Sequence, residues 1–197
     1  MSERNRKGPQ NMLGFAFCGS FCTHQAALKE LTHLIDAGYE IQPIFSDKVY
    51  STDTRFGRAE ELLEKVENLC RRKVIHTIEG AEPLGPKQPL DALVICPCTG
   101  NTLAKMAQGI TDTPVCMAAK AHMRCDRPLV IALASNDALS ANLKNLATLL
   151  QKKSVYFVPM RQDDPEGKPH SLVADFSLLA PTLEGAMTGK QLRKLFL

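Results

Sequence analysis

The sequence predicts an α/β chain, a three-layer sandwich whose mostly parallel sheet is covered by helices on both faces. Short apolar runs with little alternation, such as "MLGFAFC" and "PLVIALA", recur along the chain, as they do where strands are buried on both sides. Amphipathic runs with apolar residues at helical spacing separate them. With 44% hydrophobic and 23% charged residues, the 197-residue chain has ordinary globular composition and can bury a real core.

Residues 12–18 read as the first strand. A helix follows, with Ala27, Leu28, Leu31, Leu34 and Ile35 on one face and Gly38 as its stop. "YEIQPIFS" (39–46) is the second strand, and Ala59, Leu62, Leu63, Val66 and Leu69 repeat the helical spacing. "KVIHTI" (73–78) reads as a weak strand and "ALVIC" (92–96) as a strong one, with a helix starting near Thr102. "PLVIALA" (128–134) is a further strand, and Leu139, Leu143, Leu146 and Leu150 mark a helix. "SVYFVP" (154–159) closes the series of strands, before a last helix near 180–194. Residues 1–10 are expected to form a disordered polar tail and residues 11–197 one domain. Loops 82–91 and 161–171 are long, polar and rich in proline, features of surface connections and of binding loops alike.

The formal charge of +3 is spread along the chain with no basic stripe, so no nucleic-acid partner is expected. The polar start and the lack of a long apolar run predict no signal peptide and no membrane span. Seven cysteines, several inside apolar runs, suit a reducing, cytoplasmic setting.

In open α/β sheets ligands collect beyond the carboxyl ends of the strands. Three such ends carry suitable chemistry. "FCGSFCTH" places Gly19, Ser20 and Thr23 between a strand and a helix; they offer a phosphate its N–H groups and hydroxyls, or simply cap the helix. Ser46 ends the second strand, where a turn residue is the plainer reading. Thr99, Gly100, Asn101 and Thr102 open a helix after the strong strand. Together the three ends suggest a mononucleotide-like ligand. Cys18, Cys22, His24, Cys96 and Cys98 compose a zinc site on paper, but strand-end cysteines usually pack as small core residues, so no metal is expected. His76 and His122 read as solvated or structural.

At "CPCTGNTLAKMAQGITDTP" (96–114) the chain resembles the flavin-dependent cysteine-decarboxylase-type flavoproteins and, in the same superfamily, the flavin prenyltransferases. Pro97, Thr99, Asn101, Thr102, Ala104, Lys105, Ala107, Gly109 and Asp112 stand at the matching places. "STDTRFG" (51–57), "AEPLGPKQPLD" (81–91), "TDTPVCMAAKAHMR" (111–124) and "QDDPEGKPHSLVA" (162–174) are similar to the dipicolinate synthase B-subunit family. The resemblance implies a Rossmann-like (flavodoxin-like) fold, assembled as trimers or dodecamers. It implies FMN held by Gly19, Ser20, Ser46, Thr99, Asn101 and Thr102; Thr23 and Gly100 belong to the same two turns. It further implies a partner, the A subunit of dipicolinate synthase, which carries NADP, and oxidation of dihydrodipicolinate to dipicolinate during sporulation.

That substrate is a small dicarboxylate, for which an arginine fork is the expected handle. Arg55 is the first candidate, unless it is a surface residue paired with Asp53, and Lys120, Arg124 and Arg161 follow. Asn136, within "LASN", is retained from the decarboxylases' substrate clamp. No catalytic base is identified, although Asp163 and Asp164 would qualify if their loop folded over the site. The decarboxylases' histidine is missing from "EGAEPLGPKQPLD" (79–91), and "SNDALS" (135–140) lacks the prenyltransferases' arginine and acid. These departures favour the oxidoreductase reading over an FMN-dependent decarboxylase or prenyltransferase, and a non-catalytic partner that stabilises the A subunit is the third reading.

Overall fold

The computed structural model describes residues 12–197, so the expected tail lies outside the described residues. Four parallel strands form the frame: β1 (Met12–Phe17), β2 (Glu40–Phe45), β3 (Ala92–Cys98) and β4 (Leu129–Ser135). A shorter parallel strand, β5 (Val155–Phe157), pairs with the first half of β4. The parallel order is therefore β2-β1-β3-β4-β5, with the direction of winding reversed between β1 and β3.

Side chains alternate across this sheet, and each face has its own core. Leu13, Phe15, Phe17, Val94 and Val130 face one cluster, while Ala16, Leu93, Ile95, Leu129 and Ile131 face the other. The first is covered by α1 (His24–Asp36), α3 (Ala59–Cys70) and α8 (Leu179–Met187). The second is covered by α5 (Gly100–Gln108), α6 (Pro114–Met123) and α7 (Leu143–Leu150). Continuous apolar strands follow from this double covering, since neither face of β3 or β4 meets water. Two short helices, α2 (Asp47–Ser51) and α4 (Ile78–Ala81), complete the set.

Five expectations are corrected. Residues 73–78 do not form a strand: only Ile75 makes backbone-to-backbone bonds with β2, because Glu67 accepts the Val74 N–H and the Gln42 side-chain amide donates to the Lys73 carbonyl. Thr77 then caps α4. The strands do not end at residue 159, since β6 (Met160–Arg161) and β7 (Leu172–Ala174) add an antiparallel ribbon to the second half of β4. α6 is an additional helix; it is apolar nearly all round and so gives no amphipathic period, although Thr113 before Pro114 is a proper N-cap followed by N1 proline. Finally, Leu139 precedes α7 in a turn, and the last helix stops at Met187.

Candidate functional site

The carboxyl ends of β1, β2 and β3 meet at the β1/β3 reversal, the position at which such sheets bind ligands. There a cleft of about 260 Å³ is lined by Gly19, Ser46, Thr99, Asn101 and Thr102, all expected from the sequence. Phe21, Asp47, Lys48, Thr52 and Thr113 complete it and were not expected.

Each hydroxyl has a local reason for its place. Ser46 caps α2 by accepting the Val49 N–H at 3.4 Å. Thr99 caps α5, accepting the Thr102 N–H at 3.3 Å, and its hydroxyl donates to that of Thr102 at 3.2 Å. Thr102 donates onward to the Cys18 sulfur at 3.4 Å. Thr113 caps α6 through the Cys116 N–H. Three capping oxygens thus converge on one cleft, and the signal for the third was the Thr-Pro pair.

The first strand's turn behaves differently from expectation. The Ser20 N–H donates to the Cys18 carbonyl, and the Thr23 hydroxyl donates to the Ser20 carbonyl at 2.7 Å. The buried His24 donates through Nε2 to the same Cys18 carbonyl at 2.9 Å, and burial holds its pKa below the ordinary value. The Ser20 backbone and the Thr23 hydroxyl shape the turn, and neither residue lines the cleft, to which this turn contributes Gly19 and Phe21. A Cβ at Gly19 would stand in the opening, 3.5 Å from the Phe21 ring and 3.8 Å from Lys48.

Gly100 is likewise structural. It lies against a polar cluster in which the Ser135 hydroxyl and the Asn142 amide both donate to Asp137. Asn142 accepts from Asn145, which accepts from Gln108. The Ser135 hydroxyl bond, with a smaller contribution from Asn142, holds the Asp137 carboxyl below its usual range against the opposing effect of burial. This network buttresses the N-terminus of α5, yet no periodicity marks it, because its members are scattered through the end of β4, a turn and two helices.

The buried cysteines suit a wall better than a metal site. Burial pushes the Cys18 thiol up to about 12 and the Cys96 and Cys98 thiols well above their ordinary value, which disfavours the thiolate a metal needs. Among the described residues no three His, Cys, Asp or Glu side chains are grouped for a metal.

The substrate candidates do not converge. Arg55 is exposed and lies over the Phe56 ring at 4.8 Å; Asp53 is not its partner but accepts the Ala59 N–H at the start of α3. Asn136 is exposed at the end of β4, on the same edge of the sheet as the cleft. Lys120 and Arg124 lie at the far end of α6, and Arg161 pairs with Asp175. Asp163 bonds Lys168 at 3.0 Å and Asp164 accepts the Gly167 N–H at 2.9 Å, so both acids are engaged in folding their own loop. Lys105 and Asp112, two residues of the helix motif, form an ion pair at 2.9 Å that ties the end of α5 to the segment entering α6.

A β2-β1-β3-β4-β5 parallel sheet with a hydroxyl-lined cleft at its reversal is the frame of a mononucleotide-binding flavoprotein. The chain belongs to the Flavoprotein family, whose profile matches residues 1–176. It is 45% identical over 181 residues to the B subunit of dipicolinate synthase from Bacillus subtilis (strain 168), covering 92% of this chain and 90% of that protein. The crystal structure of the dipicolinate synthase B subunit from Bacillus halodurans C matches with a TM-score of 0.87 at 39% identity, over 94% of this chain and 95% of that one. The FMN-dependent cysteine decarboxylase SpaF, at 24% identity and a TM-score of 0.63 over 89% of this chain and 96% of its own, shares the fold. Among the described residues no helix is long and apolar enough to cross a membrane.

Proposed function

We propose that this chain is the FMN-binding B subunit of a dipicolinate synthase, acting with a nicotinamide-binding A subunit to oxidise dihydrodipicolinate. The observation that carries the cofactor assignment is the convergence of Gly19, Ser46, Thr99, Asn101 and Thr102 on one cleft at the sheet reversal. The nearly full-length likeness to a dipicolinate synthase B subunit supports the choice of reaction and partner.

The residues fit the group. At about 260 Å³ the cleft is smaller than the ~300–1,000 Å³ that encloses a drug-sized ligand, so it suits one end of an elongated cofactor. The hydroxyls of Thr99, Ser46 and Thr113 and the ammonium of Lys48 would hold the phosphate and ribityl oxygens, beside the N-terminus of α5. The exposed Asn101 amide donates and accepts, and would orient the ring at the mouth. Bound there, FMN would supply a two-electron hydride acceptor. Removing a hydride and a proton from dihydrodipicolinate gives dipicolinate, and NADP on the A subunit is the final acceptor of the electrons. Arg55 and Asn136 remain the substrate-facing assignments, because both are solvent-accessible and Asn136 shares the cleft's edge of the sheet.

The test is reconstitution. Dipicolinate formation is followed by ultraviolet absorbance with NADP, FMN and the A subunit, with and without this chain. The expected result is a full rate only when both chains are present, reduced by Asn101→Ala. An A subunit fully active alone, or a complex indifferent to Asn101→Ala, contradicts the proposal.

A further inference from the structure

At the opposite edge of the sheet, beside the N-terminal ends of β4 and β5, lies a separate cavity of about 350 Å³. Its floor is apolar, formed by Met106, Cys116, Met123 and Val155, and Ile110 at its edge is 46% exposed. Four cations stand around it: Lys120 and Arg124 from the last turn of α6, and Lys152 and Lys153 from the turn after α7. Among the described residues Lys120, Lys152 and Lys153 take part in no ion pair, and Arg124 approaches Glu82 only at 3.9 Å.

Part of this charge has a local explanation. The C-termini of α5, α6 and α7 meet here, each carrying roughly half a negative charge, which favours nearby cations. Asp126 adds one carboxylate. With Glu82 beside Arg124, the cations left without an ion-pair partner among the described residues are Lys120, Lys152 and Lys153, around an apolar floor.

We propose that this cavity docks an acidic segment of a partner protein, one that carries an apolar side chain between its carboxylates. The chemistry selects that occupant. A small anion seated on the floor would lose its water without a buried donor to replace it, since the cations lie at the exposed rim. A single-stranded nucleic acid would seek aromatic side chains for stacking, and none lines the cavity. A peptide meets both halves of the site: its carboxylates pair at the wet rim while its apolar side chain fills the floor, where Met106 and Met123 adapt to its shape.

The test uses the full chain and a fluorescein-labelled Glu-Asp-Leu-Asp-Glu peptide, followed by anisotropy. Saturable binding is expected, weakened about tenfold or more by a Lys152→Glu and Lys153→Glu double variant and by serine in place of the peptide's leucine. An unchanged thermal midpoint of the double variant confirms its fold, since both lysines are exposed. No saturable binding overturns the proposal, as does equal affinity for the serine peptide. So does tighter binding of a single-stranded oligonucleotide that the same variant abolishes. A change in sedimentation mass in the double variant would mean that a second copy of this chain covers the face, and would overturn it too.

Discussion

Replacing Gly100 with alanine is expected to destabilise the protein by about 1–3 kcal/mol and to abolish FMN binding, although only one methyl group is added. Its Cβ would lie 2.4 Å from the Ser135 hydroxyl, 2.6 Å from the Asn142 amide nitrogen and 2.8 Å from an Asp137 oxygen. These atoms are locked to one another by hydrogen bonds, so none can give way alone. Either the cluster breaks, leaving buried polar groups unpaired, or the start of α5 moves away and takes Thr99, Asn101 and Thr102 with it. Urea unfolding measures the loss. A Gly100→Ala and Ser135→Ala double variant removes the nearest clash and should recover part of the stability, a coupling that independent sites would not show. Additive losses would mean that α5 is not braced by this cluster.

The second large effect is acid sensitivity through His122. This side chain is fully buried in α6, and its Nε2–H donates to the Pro128 carbonyl at 2.8 Å. Nδ1 has no partner, and burial brings the imidazole's pKa from 6.5 down to about 4. The unfolded chain takes up the proton near pH 6.5 while the folded one resists it to about pH 4. The stabilisation is therefore complete above pH 6.5 and lost progressively as pH falls towards 4. At ~1.4 kcal/mol per tenfold change in proton affinity it amounts to about 3 kcal/mol. His122→Gln can keep a donor to Pro128 without titrating. Urea midpoints between pH 7.5 and 4.5 should fall less steeply in this variant than in the wild type, and parallel slopes would refute the assignment. His24, also held neutral by burial, is common to both proteins and cancels in the difference.

The parallel frame was legible because every strand buried on two faces must be apolar throughout, as "ALVIC" and "PLVIALA" are. α6 was not, because a helix buried nearly all round loses the period that reveals helices, and only Thr113-Pro114 marked it. The segment 73–78 imitates a strand because its apolar residues are real, but its backbone partners are side chains of α3 and β2. At the site, Thr99, Asn101 and Thr102 were readable as a polar opening to a helix after a strong strand. Lys48 and Thr113 were not, since cleft membership depends on where α2 and α6 begin in space. Ser20 and Thr23 share that polar pattern, but neither side chain caps a helix or lines the cleft; the Thr23 hydroxyl turns back to the Ser20 carbonyl.

The most direct measurement is a titration of the protein with FMN, followed by flavin fluorescence. Asn101→Ala is the probe, because the side chain is exposed in the cleft and its loss leaves the fold intact; Glu64→Ala, exposed on α3, is the control. The account predicts saturable binding, unchanged in the control and weakened at least about tenfold, or ~1.4 kcal/mol, by Asn101→Ala. Saturable binding that ignores Asn101→Ala, or no binding at all, would contradict the assignment of this cleft to the flavin.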